Sequence, residues 1–241
     1  MGLDLQIGYN CNEGVLPSSD ETRTASQTSL GGLSKSFTTS SASTAPTKSS
    51  TQEATLFAGI SGITFDGSDG LNVVTAYDRT DATAWGFVMA WTNCLGYSDK
   101  YLIDGGSNGN HIRFVDASTI EFRGGGAKGA ATSLALNNTN NSTVSYTFGS
   151  DVEALIYQVA SSGVTSIYNI DGDLIYNSSS AVPGAVATFN MEHILHDSTY
   201  AKNPRLKLLG FYAWEADDTS SVISATQAAN LASYYTNLKN L

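Results

Sequence analysis

The sequence predicts an all-β protein: two antiparallel sheets packed as a sandwich, with a short C-terminal helix and an extended N-terminal arm. Three observations carry this reading. From Leu56 onward, short apolar runs alternate with Gly, Asn, Asp and Ser, the texture of strands joined by turns. Gly, Ser, Thr, Asn and Tyr are plentiful and charged residues scarce, a balance that suits turn-rich β structure better than helices. The 241 residues suffice for one sizeable core and an appendage.

Residues 1–55 form the first segment. From Pro17 on, about half of it is Ser or Thr, too little apolar surface to repay the entropy of ordering. Leu16, Leu30, Leu33, Phe37 and Pro46 punctuate the tract without strand or helix periodicity. It reads as a partner-held arm whose backbone pairs with another chain, with Leu30, Leu33 and Phe37 as its main anchors, Leu16 as a further apolar contact, and Pro46 and the Ser/Thr run as its extended cable.

The body, residues 56–241, offers candidate strands at 62–67, 72–77, 84–92, 100–105, 111–116, 119–124, 143–148, 152–160, 164–171, 174–178, 186–191 and 205–215. In AWGFVMAWT (84–92), Trp85, Phe87, Met89 and Trp91 fall on one face. Ala84, Gly86, Val88 and Ala90 fall on the other, a strand packed on both sides. The Asp171–Gly172 pair predicts a tight turn. Val222, Ala225, Ala229, Leu231 and Tyr235 recur mostly at three- and four-residue spacing after a Ser/Thr start, predicting the helix.

A net charge of −10 without a Lys/Arg cluster argues against a nucleic-acid surface. The N-terminus lacks a basic region followed by an apolar run, and no window reaches the length of a membrane span, so neither secretion by a cleaved signal nor membrane anchoring is expected. Cys11 and Cys94 lack metal spacing and read as free thiols.

Three stretches resemble the concanavalin A-like, laminin G-like jelly-roll superfamily. ITFDGSDGLNVVT (63–75) followed by ATAWGFVMAWT (82–92) is similar to its opening strands. VEALIYQVASSGVTSIYNIDGDLIYN (152–177) looks like its long hairpin, with Tyr168, Asp171 and Gly172 at the aromatic-x-Asp-Gly turn. LKLLGFYAWEADDTSSVISATQAANLASYY (206–235) resembles its closing strand and helix. The resemblance implies a two-sheet jelly roll, a fold shared by lectins, glucanases, adhesion modules and virion proteins, so function has to be argued from sites. Residues 1–55 lie outside it.

The site chemistry is sparse. A glucanase of this superfamily needs alternating carboxylates about 5 Å apart on one strand. Glu215 and Asp217 alternate correctly, but Thr219 and Ser220 stand where a third carboxylate belongs, and no catalytic set is expected. His193 and His196 in EHILHD lack a zinc-site order and read as packing or surface residues. Asp66, Asp69, Asp171 and Asp173 read as turn residues rather than calcium ligands. Neither metal nor cofactor is expected. Tyr97, Tyr200 and Trp214 are the aromatics singled out as exposed sugar-stacking candidates.

Two functions follow as expectations. The first is a non-enzymatic virion structural protein, a capsid decoration or cement protein made in the host cytoplasm, anchored by its arm to other virion proteins such as the major capsid protein. Laminin G-like bodies are familiar on phage particles, and capsid symmetry suggests a homo-oligomer, a trimer. The second is a glycan-binding adhesin module, such as a tail-fibre or receptor-binding domain.

Overall fold

The structure is a computed structural model and describes residues 3–10, 27–28, 36–38, 46, 62–79, 84–106, 109–124, 131–136, 145–182, 189–216 and 223–239. Two antiparallel sheets and one helix account for the regular elements among them.

The first sheet is built on a long strand, β15 (Arg205–Ala216). One edge of β15 pairs with β6 (Trp85–Thr92). The other edge is shared end to end by β1 (Leu3–Asn10) and β4 (Ile63–Asp66). Beyond β6 the sheet continues through β11 (Glu153–Val159), β12 (Thr165–Tyr168) and β13 (Leu174–Asn177). The second sheet runs β10 (Thr132–Ala135), β9 (Thr119–Arg123), β8 (His111–Asp116), β7 (Lys100–Asp104), β14 (Phe189–Ile194), β5 (Leu71–Arg79), β3 (Ser36–Thr38) and β2 (Gln27–Thr28).

This pairing corrects the expectation of an arm held by another chain wherever residues 1–55 are described. β1 lies against Gly210–Ala216 of the same chain, and β3 lies against Asn72–Val74. Pro46 is buried within the chain. The physical reason is that both sheets end in strands with unpaired N–H and C=O groups, which any extended backbone can satisfy whatever its side chains. Leu16, Leu30 and Leu33 lie outside the described residues, and Phe37 is placed only as the middle residue of β3.

The inner faces of the two sheets meet in an aromatic core. The Phe189 ring stacks on Trp85 (4.8 Å between centroids) and lies 5.8 Å from Phe122, while Tyr157 stacks on Phe87 at 5.4 Å. Every residue of β6 and β11 is buried. One face is buried in this core. The other is covered by the helix α1 (Ala225–Lys239), which packs Ala228 and Ala232 with Ile223 against Val88, Ala90, Ala154, Ile156, Leu209 and Trp214. Small residues on the outer face of β6 let α1 and Trp214 come close. Gly86 has no room for a side chain, since a Cβ there would lie 2.6 Å from both Trp214 Cζ2 and the Tyr157 carbonyl oxygen.

Ser224 caps α1: its Oγ accepts from Gln227 N–H at 3.2 Å, and Gln227 Oε1 accepts from Ser224 N–H at 2.8 Å, a reciprocal capping box. The buried stripe is Ala228 and Ala232 rather than the expected Ala225 and Ala229: Ala225 is exposed, and Ala229 is half-buried beside the Gly172 turn, where a Cβ on Gly172 would lie 2.8 Å from Ala229 Cα. The turn predicted at Asp171–Gly172 is present, with Gly172 at φ 80° donating to Asn169 C=O. Two strand expectations change. Residues 145–148 form no strand and bind through single bonds, Tyr146 N–H to Leu136 C=O and Phe148 N–H to Ala117 C=O. β10 was not anticipated.

Candidate functional site

With the first sheet covered on its outer side by α1, the outer face of the second sheet is the open broad face among the described residues. Its side chains follow from strand alternation. In β8, Ile112 and Phe114 point into the core, so His111 and Arg113 point out. In β9, Ile120 and Phe122 point in, so Glu121 and Arg123 point out. Register then sets the neighbours: Tyr101, Arg113 and Glu121 form one row across β7, β8 and β9, while His193, Asp104, His111 and Arg123 form the next across β14, β7, β8 and β9.

The first row is a charged network. Arg113 Nε donates to Glu121 Oε1 at 2.7 Å, and His111 Nε2 lies 2.8 Å from the same oxygen. A carboxylate only accepts, so Nε2 carries the proton. Arg113 also pairs through its terminal nitrogen with Asp99, whose other oxygen takes Lys202 Nζ at 2.8 Å. Both cations lie 5.8 Å from the centroid of the Tyr101 ring, which has the His111 ring on its flank at 5.2 Å. Burial opposes ionisation of Glu121, yet the hydrogen bonds from Arg113 and His111 outweigh it and hold its pKa below the usual carboxylate value. Hydrogen bonding from Lys202, with the charge of Arg113, likewise lowers that of Asp99. Burial pulls the His111 pKa down against the pull of Glu121.

The second row leads to the loop between β14 and β15. Asp104 accepts from Ser198 N–H at 3.0 Å, and burial raises its pKa. His193 Nδ1 donates to Asn72 Oδ1 (2.8 Å), and Asn72 Nδ2 donates to the Tyr200 hydroxyl (3.1 Å). Tyr200 stacks on His196 at 4.2 Å, and His196 lies 4.5 Å from His193. All three histidines of the chain therefore gather here. His196 is fully buried, with Nδ1 2.8 Å from Asp197 C=O and Nε2 3.1 Å from Leu71 C=O. Burial brings its pKa down to about 4. The neutral ring can donate to only one of its two carbonyls. Leu195 and Tyr200, at φ 59° and 56°, hold this loop in left-handed backbone conformations that side chains seldom adopt.

Of the three aromatics expected to be exposed, Tyr200 alone borders this face. Tyr97 is 7% exposed: its hydroxyl accepts from Trp91 Nε1 (3.1 Å) and donates to Gly149 C=O (2.6 Å), so it is a core residue with a satisfied polar tip. Trp214 is 6% exposed because it lies over Gly86 in the helix-covered layer. These two correct the expectation of exposed stacking rings. Sequence reasoning missed His111, Arg113 and Glu121, although HIRFVD and TIEFRG alternate cleanly and the short turn between them places Arg113 opposite Glu121. His193, expected as a packing or surface residue, stands opposite Asp104 across the β14–β7 pairing.

Asp66 and Asp69 hold the turn before β5: Asp66 Oδ1 accepts from Ser68 N–H, and Asp69 Oδ2 accepts from Asp66 N–H, both at 2.8 Å. Burial raises the Asp69 pKa to about 6. Asp171 and Asp173 present their N–H groups to Asn169 Oδ1. Among the described residues no group of three or more His, Cys, Asp or Glu is arranged to hold a metal ion. Glu215 lies in β15 opposite Trp85, while Asp217 is outside the described residues. No described helix is long and apolar enough to cross a membrane.

No family model and no curated protein matches this chain. Solved structures do. Domain 4 of AbnA, a GH43 extracellular arabinanase from Geobacillus stearothermophilus, in complex with arabinotriose, is 11% identical with a TM-score of 0.59, covering 96% of this chain and 100% of that one. The binding domain of Paraclostridial mosquitocidal protein 1 is 13% identical with a TM-score of 0.58, covering 97% of this chain and 53% of that one. The ligand-binding domain of botulinum neurotoxin serotype D, in complex with N-acetylneuraminic acid, is 10% identical with a TM-score of 0.50, covering 93% and 52%. The chain thus spans about half the length of the two toxin binding domains. The likeness shows the shared fold, a jelly-roll β-sandwich that carbohydrate- and receptor-binding domains also use.

Proposed function

We propose that the protein is a non-enzymatic binding module, a lectin-like jelly roll displayed from a virion surface, whose open sheet face engages a glycan. The observation that supports it most is the asymmetry of the sandwich. One sheet is sealed by α1, while the other presents a preorganised network of Asp99, Tyr101, His111, Arg113, Glu121 and Lys202. Planar carboxylate and guanidinium groups fixed by one another offer donors and acceptors to sugar hydroxyls with little side-chain entropy left to lose. Their mutual neutralisation also suits recognition better than acid–base chemistry, which needs carboxylates with opposed proton affinities.

The placement on a virion rests on the laminin G-like resemblance of residues 63–75, 82–92, 152–177 and 206–235. In that setting the body decorates or cements the capsid, with the major capsid protein as its partner and a trimer as its assembly. Glycan-array profiling of the full chain, paired with co-sedimentation on particles, tests both parts. Binding to defined glycans that is lost in Arg113→Ala, with co-sedimentation retained, is the expected result. Silence across neutral and acidic glycans removes the glycan reading, and failure to co-sediment removes the virion one.

A further inference from the structure

The charge pattern of this face restricts what it can bind, and the argument rests on the reading of the face as a glycan site. Each of its described cations already has a partner. Arg113 is held by Glu121 and Asp99, Lys202 by Asp99, His111 by Glu121, and Arg123 is engaged as well. Toward β14, His193 Nε2 faces Glu192 Oε2 at 3.7 Å. The carboxylates Asp99, Asp104, Glu121 and Glu192 thus stand against the permanent cations Arg113, Arg123 and Lys202, on a chain of net charge −10. A sugar carboxylate or sulfate arriving here would meet like charge and find no uncommitted cation, a penalty that excludes ligands as effectively as good contacts select them. A hydroxyl meets no such penalty. It can donate to a carboxylate oxygen and accept from a guanidinium or ammonium N–H at the same time.

We infer that the ligand of this face is an uncharged saccharide, held through its hydroxyls by Asp99, Arg113, Glu121 and Lys202, and that Asp99 is the residue that excludes acidic glycans. Asp99 carries this role because it neutralises two cations at once while its side chain remains 45% exposed, at the rim where a ligand arrives. Its backbone, at φ 54°, is a conformation that Asn tolerates well, so Asp99→Asn removes the charge and keeps the turn.

The experiment measures binding of the full chain and of Asp99→Asn to neutral oligosaccharides and to sialylated, uronic-acid and sulfated ones, at about 0.05 M and about 0.5 M NaCl. Wild type is expected to bind neutral members alone, with affinity changing less than about 2-fold between the two salts, since screening has no ligand charge to act on. Asp99→Asn is expected to lose about 5- to 20-fold on the neutral ligand and to gain salt-sensitive binding of an acidic one, as Arg113 and Lys202 become available. Wild-type binding of acidic glycans that weakens with salt would overturn the inference while leaving the glycan reading intact. Absence of binding by wild type to either class would overturn both. The wild-type salt dependence keeps the test decisive if the variant unfolds.

Discussion

Replacing Gly86 by Ala tests the feature that makes one face of the sandwich the open one. Gly86 is the second residue of β6, paired with Gln158 of β11 on one side and Trp214 of β15 on the other, so its backbone is flanked by strands on both sides. The added methyl would sit 2.6 Å from Trp214 Cζ2 and 2.6 Å from the Tyr157 carbonyl oxygen, about 1 Å inside normal contact. The indole can rotate away only by disturbing its packing against α1, and the carbonyl can retreat only by loosening the ladder. Overpacking of this kind costs about 1–3 kcal/mol, while Ala gains about 0.5–1 kcal/mol over Gly in a strand. The net is a loss of about 1–2 kcal/mol, a fall in Tm of about 2–8 °C for a chain of this size. Urea unfolding followed by tryptophan fluorescence reads it directly. On a Trp214→Leu background the same substitution should cost less, because one of the two clashes is gone, leaving the part due to the Tyr157 carbonyl. If Gly86→Ala is as stable as wild type, or its cost ignores residue 214, then Trp214 does not cover β6. The case for the second sheet as the open face fails with it.

Other substitutions separate architecture from recognition. Asn110 Nδ2 donates to Asn190 C=O (2.7 Å) and its Oδ1 accepts from Asn190 N–H (3.3 Å), replacing a missing strand neighbour. Asn110→Ala orphans both buried groups and should cost about 2–4 kcal/mol in urea unfolding. Tyr97→Phe and Trp214→Phe should lower Tm and leave glycan affinity unchanged, in contrast to Arg113→Ala; a selective loss of affinity would restore the two aromatics to the site. The pH dependence has two opposed parts. His196 has a folded pKa of about 4 against 6.5 unfolded, so it binds protons more readily unfolded and withdraws up to about 3 kcal/mol as pH falls from 6.5 toward 4. Asp69, raised to about 6 from 3.8, works the other way: its contribution is present at low pH and lost as pH rises through 6. The wild-type stability curve should therefore be shallow between pH 4 and 6. Asp69→Asn should gain about 1–2 kcal/mol at pH 7 and lose stability on acidification where wild type does not. Parallel curves for the two proteins would refute that assignment.

Much of the body was legible because its strands carry their environment in their spelling. AWGFVMAWT, large on one face and small on the other, announces a strand with a cover on each side, and β6 is buried throughout. Terminal helix, Asp-Gly turn and most strand limits follow from equally local signals. What was hidden depends on partners distant in sequence. β1 and β3 are held by edges supplied from β15 and β5, and β2 by β3; LDLQIGYN alternates Leu3, Leu5, Ile7 and Tyr9 with polar residues as a strand does, but nothing in it names the edge it joins, and β2 and β3 are too short to show a period. The covered state of Trp214 depends on α1 crossing the sheet, which WEADD does not reveal. At the candidate site, the alternation of HIRFVD and TIEFRG reveals the row of Arg113 and Glu121. The contributions of Asp99 and Lys202 come from loops that only the fold brings together.

The described pieces of the first segment also change how its role can be tested. β1 occupies the upper half of one edge of β15, with Leu3 opposite Ala216 and Asn10 opposite Gly210. β3 covers β5, strand to strand, in the other sheet. A single stretch of chain therefore finishes an edge of each sheet and ties the two together across the sandwich. Removing residues 1–55 leaves the outer edge of β15 bare over Gly210–Ala216 and that of β5 bare at Asn72–Val74, with rows of unpaired N–H and C=O groups that invite association with other strands. The truncated body should unfold at lower urea and self-associate, so loss of particle binding by it would not identify a tether. Substitutions at Leu16, Leu30 and Leu33, outside the described strands, separate the two cases. If they abolish co-sedimentation at unchanged Tm, the segment contacts the particle in addition to completing the sheets. If the truncated body instead stays monomeric with wild-type stability, β1 and β3 contribute nothing to the sandwich and a free arm is restored.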